Sequence, residues 1–293
     1  MELSIKRKTK SIITKVVLYL VMVLVAVFMV LPFYWSAITS IRNNHEIFNM
    51  KWWPSDISLE HYKRVFEVVP IARMFGNSIF VTLVGLFTNL FFGSLAAYAF
   101  AKIRFTGHKV VFNIMLSSLM IPGCIVLIPQ YLVMSHFPLA GGNDILGQGG
   151  IGLVDSLWAV ILPGAIGVYG VFFMRQFFVS LSDDMAEAAR IDGASEFRIF
   201  WQIYLPLIKP ALMTLGIFTF QGGWNNFLWP SIVLSSEETQ VLTMAFIPFK
   251  GSRSIEYGPL MAVSILMALP VIVLFLCAQK YFISGVAVGG SKE

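Results

Sequence analysis

Six apolar runs, at about residues 16–38, 75–101, 110–135, 157–178, 210–233 and 258–283, take up most of this 293-residue chain. Each approaches or exceeds the roughly 20 residues that an α-helix needs to cross the hydrocarbon of a bilayer. In that solvent every backbone N–H and C=O must be satisfied internally, and a lone apolar run does so only as a helix. Composition agrees, with 57% hydrophobic and 13% charged residues, where soluble domains carry about 25% charged. The expected fold class is all-α: a polytopic membrane protein with six transmembrane helices in one domain over residues 1–293, its outer surface covered by the lipid bilayer.

Lys6, Arg7, Lys8 and Lys10 precede the first run, as in a secretory signal. Val16–Trp35 is longer than a signal core, however, and no small-residue cleavage site follows, which favours an uncleaved span. With six spans, two-thirds of the 21 Lys and Arg residues fall on the side shared by both termini. The positive-inside rule then puts the N- and C-termini in the cytoplasm. The net charge of +5 is explained by topology and points to no nucleic-acid partner. Cys124 and Cys277 lie in apolar runs and suggest no disulfide framework. His45, His61, His108 and His136 are scattered without ligand-like neighbours, so no metal site is expected.

The connecting segments differ in character. Between Asn43 and Ala72, Trp52-Trp53-Pro54 resembles an interfacial anchor, and Leu59, Tyr62, Val65 and Phe66 recur at helical spacing. A short amphipathic helix at the outer surface is expected there. The loop 138–153 contains six glycines and no Lys or Arg, so it reads as irregular rather than as a phosphate cradle. Gly285, Gly289 and Gly290 have the spacing of a P-loop, but the Ser-Lys order is reversed and no helix can follow. The chain therefore carries no nucleotide site of its own and is expected not to be an enzyme. Gly164, Gly167 and Gly170 recur every three residues, a pattern that close helix packing explains without function.

The most polar stretch between two spans is residues 182–206. Ser182 is placed to cap a helix whose first turn holds Asp183 and Asp184, where negative charge suits the helix dipole. Gly193 can end that helix. A second helix is expected from Ser195, with Phe197, Phe200, Trp201 and Tyr204 forming one aromatic stripe at membrane depth. Ala188 and Ala189 leave room for another protein to approach, and an exposed Glu187 can pair with a partner's arginine.

The spacing Glu187-Ala188-Ala189, three residues, Gly193, nine residues, Ile203-x-Leu205-Pro206 resembles the EAA loop of binding-protein-dependent ABC importer permeases. EAARIDGAS is similar to the sugar, or maltose-type, branch of that family. So are Leu31–Trp35, Asn77-Ser78, Ala96–Phe100, Ile128–Tyr131, Phe173–Phe178 and Trp224-Asn225. The resemblance implies the type I importer permease fold in a bacterial or archaeal cytoplasmic membrane. It implies several partners: a second permease subunit in a heterodimer, two cytoplasmic ATPase subunits, and an extracytoplasmic solute-binding protein that delivers a carbohydrate. ATP and magnesium would be bound by the ATPase subunits, with no cofactor in this chain.

By that resemblance the loop 182–206 couples to the ATPases through Glu187, Ala188, Ala189, Arg190, Asp192 and Gly193. The tail Ser284–Glu293 is a further ATPase contact. Phe249, Lys250, Gly251, Ser252 and Arg253 form the tip of an outer loop that meets the binding protein. Sugars need hydrogen-bonding side chains and aromatic faces. The candidates on the translocation path are Asn77, Asn89, Asn113, Gln130, Gln221, Trp224, Asn225 and Asn226. An oligosaccharide is the expected cargo; a glycerol phosphate or another non-sugar solute is the alternative. An ion-coupled secondary transporter would need ionisable groups within its spans, and none lies near a span centre here.

Overall fold

The computed structural model describes residues 2–251 and 254–290. Thirteen α-helices run in chain order through the described residues. They are α1 (Glu2–Ser40), α2 (Glu60–Val68), α3 (Ile71–Lys102), α4 (His108–Ser117), α5 (Gly123–Ser135), α6 (Leu157–Ile161), α7 (Val168–Ser180), α8 (Asp184–Ile191), α9 (Glu196–Ile199), α10 (Leu205–Leu207), α11 (Lys209–Trp224), α12 (Leu228–Val233) and α13 (Tyr257–Gly290). The only β pairing among the described residues is an isolated bridge between Lys250 and Ile255.

Four stretches are long and apolar enough to cross a membrane singly: Ile13–Ser40, Ile71–Lys102, Leu157–Ser180 and Tyr257–Cys277. Two more exist only as bent pairs, His108–Met120 with Gly123–Ser135 at 109° and Glu196–Leu207 with Lys209–Trp224 at 83°. The expected third run, 110–135, is therefore broken. Pro122 offers no N–H and forces Ile121 into the extended region (φ −83°, ψ 118°). The expected fifth run, 210–233, stops at Trp224, and its remainder is the separate helix α12. Asn225 and Asn226, poor helix-interior residues, occupy the gap. At the other end of α11, Ile208 (φ −100°, ψ 15°) between Pro206 and Pro210 makes the bend that those prolines foretell.

The chain divides into two compact units, Met1–Val69 with Phe246–Leu269, and Pro70–Ala245 with Pro270–Glu293. In the first unit, the apolar side chains along residues 16–33 are exposed over most of their length, as suits a helix whose solvent is lipid. Past its end, the buried Arg42 guanidinium donates to the carbonyls of Asn49 and Lys51 and lies over the Trp35 ring. The following segment is thus tied to the end of α1. The expected amphipathic helix is α2, with Val65 and His61 buried and Phe66 exposed. Arg64 pairs with Glu256 at 3.4 Å.

In the second unit α3 is the central rod, packed on α7 and α11. The α3–α7 approach depends on small residues. Asn89 of α3 donates through Nδ2 to the Gly164 carbonyl at 3.3 Å. A Cβ on Gly167 would lie 2.6 Å from Asn89 Nδ2, and one on Gly170 would lie 2.7 Å from Asn89 Oδ1. Gly167 and Gly170 of the repeat seen in the sequence are therefore the seat of one asparagine, and Gly164 accepts its hydrogen bond. The glycine-rich segment 137–156 contains no helix and is held by Asn143, which donates to the Ser135 and Phe137 carbonyls and accepts from Gly150 N–H. At its end Asp155 takes a left-handed conformation (φ 59°). Its Oδ1 accepts from Ser235 N–H (2.8 Å), Ser236 N–H (3.0 Å) and the Thr239 hydroxyl (2.6 Å). Partial burial works against the Asp155 charge, but these donors outweigh it and hold the carboxyl at about 2.

Candidate functional site

Between α7 and α11 the polar stretch folds as a helix, a tight turn and a second helix. The first cap sits one residue later than expected. Asp183 precedes α8, and Ser182 Oγ accepts from Asp184 N–H at 3.2 Å. The Asp183 carboxylate is committed elsewhere, as described below. At the far end of α8, Gly193 (φ 79°) donates to the Arg190 carbonyl at 3.0 Å, and Ala194 N–H donates to the Ala189 carbonyl at 2.9 Å. These two bonds make a Schellman turn, which needs the left-handed residue that Gly193 supplies. Ser195 then caps α9 by accepting from Arg198 N–H, as the sequence predicts.

The second helix departs from expectation. After α9 the chain makes a π-helical turn over Phe200–Tyr204, and the predicted stripe is split between a buried and an exposed edge. Phe200 and Tyr204 are 1% and 0% exposed, whereas Phe197 and Trp201 are 57% and 49% exposed and stack on each other at 6.3 Å. Phe200 and Tyr204 enter a core built from Ala97 and Tyr98 of α3, Val171, Met174 and Phe178 of α7, and Ala186 of α8. Burial of each large apolar side chain contributes roughly 1.5–3 kcal/mol, so the loop is seated on α3 and α7 rather than trailing from them.

Polar contacts lock the same seat. Lys102, at the end of α3, donates to the Leu181 carbonyl (2.6 Å) and to Asp183 Oδ1 (2.5 Å), with its ammonium 5.1 Å from the centre of the Tyr204 ring. The Tyr204 hydroxyl donates to the Ser182 carbonyl at 3.2 Å. The hydrogen bond from Lys102 holds the Asp183 carboxyl below the usual carboxylate range. Tyr98 donates to Glu196 Oε2 (2.6 Å), and Arg190 Nε donates to Glu196 Oε1 (2.7 Å). The Glu196 hydrogen bond raises the Arg190 guanidinium above its ordinary value. Lys102 and Tyr98, on α3, escape a reading of the loop alone, and with them the role of Glu196. The sequence signal for Lys102 is a lysine that closes the long apolar stretch 74–101.

The predicted coupling residues do come together on the outer face of this element. Glu187, Ala188, Arg190, Asp192 and Gly193 are exposed and Ala189 is half-buried, while Ala186 on the opposite side of α8 is buried. Arg190 is engaged internally by Glu196, whereas the Glu187 carboxylate has no partner among the described residues. Beside the turn a concavity of about 200 Å³ is lined by Ala189, Asp192, Ala194, Arg198, Gln202 and neighbouring isoleucines.

The other predicted sites are less coherent. Of the path candidates, Asn89 and Asn226 share one concavity between α3, α7 and α11. Asn77 instead ties the 238–240 segment, donating to the Glu238 and Gln240 carbonyls at 2.8 Å each. Asn113 is exposed on α4, Gln130 is half-buried on α5, and Gln221 and Asn225 are exposed. Trp224 is buried, stacked on Phe220 and edge-on to Phe75, and borders a small cavity with Thr82 and Asn226. Among the described residues of the predicted outer tip, Phe249 is buried and Lys250 and Gly251 are exposed. Ser252 and Arg253 lie outside the described residues, as do Ser291, Lys292 and Glu293 of the predicted tail.

Residues 89–288 match the profile of the family described as the binding-protein-dependent transport system inner membrane component. The chain belongs to this family. The match spans α7 through α11 and so includes the whole seated loop. The chain is 32% identical over 292 residues to the arabinooligosaccharides transport system permease protein AraQ of Halalkalibacterium halodurans, covering 98% of this chain and 99% of that one. It is 29% identical to the lactose transport system permease protein LacG of Rhizobium radiobacter, covering 92% and 94% respectively. Among solved structures it is similar to a chain of a bacterial ABC transporter involved in the import of the acidic polysaccharide alginate. That match has a TM-score of 0.77 and 26% identity, covering 92% of this chain and 96% of that one. This permease is accordingly an all-α membrane component of an ABC importer.

Proposed function

We propose that the permease forms half of the path of an importer for a carbohydrate, an oligosaccharide in particular, delivered by an extracytoplasmic binding protein. A second, non-identical permease subunit completes the path. Two cytoplasmic ATPase subunits bind ATP and magnesium, and each receives one coupling loop. Both termini lie in the cytoplasm of a bacterial or archaeal cell, and α8 faces the ATPases. The single observation that carries this reading is α8 itself. Its exposed face offers small residues and a partnerless Glu187, while its other face is seated on α3 and α7 by Ala186 and the Lys102–Asp183 contact.

The mechanism follows from that seating. When the ATPase dimer closes on ATP, the groove that holds α8 moves and carries the helix with it. Hydrogen bonds at both ends of the loop, together with the Phe200–Tyr204 core, leave little slack, so displacement passes into α3, α7 and α11. Rigid elements with two discrete arrangements transmit such a shift. Glu187 provides the charged contact, Ala188 and Ala189 the close approach, and Gly193 the turn that presents them.

Replacement of Glu187 by Ala removes one charge-assisted contact, which contributes about 1.5–3 kcal/mol. Docking of the ATPase, and with it sugar-stimulated ATP hydrolysis in the reconstituted importer, is expected to fall by roughly 10- to 100-fold, with the variant still in the membrane. Unchanged hydrolysis and uptake would sink the coupling assignment.

A further inference from the structure

The concavity that joins Asn89 and Asn226 has a chemistry that the coupling loop does not explain. It measures about 310 Å³ and lies between α3, α7 and α11. We infer that it is a cargo subsite of this subunit, specific for an uncharged sugar ring. The inference deepens the carbohydrate-importer reading and rests on it.

The composition of the wall comes first. Hydrogen-bonding side chains are supplied by Thr82, Asn89, Tyr169, Thr219 and Asn226, and Phe218 adds a second aromatic surface to that of Tyr169. Tyr169 and Phe218 are about half exposed. Aromatic faces with a few convergent polar groups are what a sugar ring requires, and the volume is at the low end of the roughly 300–1,000 Å³ of small-molecule sites. A short piece of a sugar chain fits, and the rest of an oligosaccharide extends beyond.

Two oxygens in this wall are unsatisfied. Thr82 and Asn89 are 2% and 8% exposed, and neither Thr82 Oγ1 nor Asn89 Oδ1 has a hydrogen-bond partner among the described residues. Interhelical bonding accounts for the Asn89 amide nitrogen, which reaches Gly164, but not for its oxygen. A buried acceptor left unpaired costs about 1–3 kcal/mol. Each oxygen has almost no accessible surface, Asn89 Oδ1 being packed against Gly170, so the pair adds polarity behind the wall and does not itself mark the position of a sugar hydroxyl.

The space is also kept open without a packing reason. Gly85, Gly164 and Gly222 all line it, and a Cβ on any of them would meet nothing within 4 Å. This contrasts with Gly167 and Gly170, whose missing Cβ atoms are needed by Asn89.

Charge then selects the cargo. No Asp, Glu, Lys, Arg or His lines the concavity. A uronate or a phosphate ester would enter it with no cation to meet, and an unpaired anion in an apolar wall is strongly disfavoured. The subsite therefore takes neutral rings and rejects both the anionic solute class left open by the sequence and uronates of the alginate kind.

The test is photolabelling of the whole importer in membrane vesicles, with and without a non-hydrolysable ATP analogue, using a diazirine-bearing neutral trisaccharide. Labelling is expected on peptides containing residues 81–89 and 218–226. It should be competed by unlabelled neutral trisaccharide at least tenfold better than by a uronate trisaccharide. Gly222→Leu, and on a different helix Gly85→Leu, should each lower labelling of this chain at least tenfold. Label confined to the partner permease or to the binding protein overturns the inference. Equal competition by the uronate, or full labelling of both occluded variants, does the same. Because labelling needs no ATP turnover, its failure is separate from a failure of the coupling reading, which is judged by stimulated ATP hydrolysis.

Discussion

Replacing Gly170 by Ala should loosen the α3–α7 contact in a way that one further substitution reverses. The new Cβ would lie 2.7 Å from Asn89 Oδ1 and 3.4 Å from Leu215 Cδ2. Asn89 is short, buried and held to Gly164, so it cannot swing clear. Overpacking of this kind costs about 1–3 kcal/mol. Asn89→Ala alone loses one long hydrogen bond of 3.3 Å, at the weak end of the roughly 0.5–1.5 kcal/mol range, and it also removes an unsatisfied oxygen. The double variant Asn89→Ala/Gly170→Ala should therefore be no less stable than Asn89→Ala. That corresponds to a coupling of about 1–3 kcal/mol, well above the ~0.5 kcal/mol scatter of independent sites. Gly76→Ala, also on α3 but with nothing within 4 Å of the added Cβ, is the control. It should be neutral or stabilising by up to about 1 kcal/mol. Thermal unfolding of the purified permease in detergent, followed by far-ultraviolet circular dichroism, reads all four variants. Strict additivity, or a Gly170→Ala protein as stable as wild type, would refute the argument that Asn89 is what the glycines accommodate.

Two further outcomes follow from local geometry. Gly193→Ala forces a left-handed alanine, at about 1–2 kcal/mol, with no side-chain clash to confuse the result. Binding-protein-stimulated ATP hydrolysis should fall, less so for Gly193→Asn because asparagine tolerates this cap, and equal rates in all three proteins would count against the turn. Asp155 has its folded-state pKa depressed to about 2 from an ordinary 3.8. Its contribution to stability is therefore fully present above pH 3.8 and is lost as pH falls through 2. In an acid titration wild type should exceed Asp155→Asn at pH 6 and converge with it near pH 2; a constant difference would contradict the assignment.

What could be read from the sequence, and what could not, follows the range of the forces involved. The long apolar runs were legible because lipid acts on each segment independently of its neighbours. The loop ends at Gly193 and Ser195 were legible for a similar reason, since a cap is a contract between residues only a few positions apart. The 109° bend at Pro122 could not be separated from the many prolines that spans tolerate, because its angle depends on what the two arms pack against. The Tyr98–Glu196 and Lys102–Asp183 pairs join residues far apart in sequence, and nothing local to either partner announces the other. The aromatic stripe is legible as a period, but which edge of it is buried depends on α3 and α7, which lie far away in sequence. Of the amides spread along the spans, periodicity alone did not tell lining from packing. Asn89 sits where it does only because Gly167 and Gly170 make room.

The elbow at Pro122 has a consequence for how the protein is made. Its arms, His108–Met120 and Gly123–Ser135, are each about 20 Å long at 1.5 Å per residue, short of the roughly 30 Å of hydrocarbon. Neither arm can be released into lipid as a self-sufficient segment during synthesis. The first arm does have a ready anchor, since Phe112 is buried and Arg175 of α7 lies 4.2 Å over its ring. Because α7 is translated later than the elbow, the contact that covers Phe112 can form only after α7 has emerged. Order of assembly, and not only final geometry, is thus written into a single proline–glycine pair.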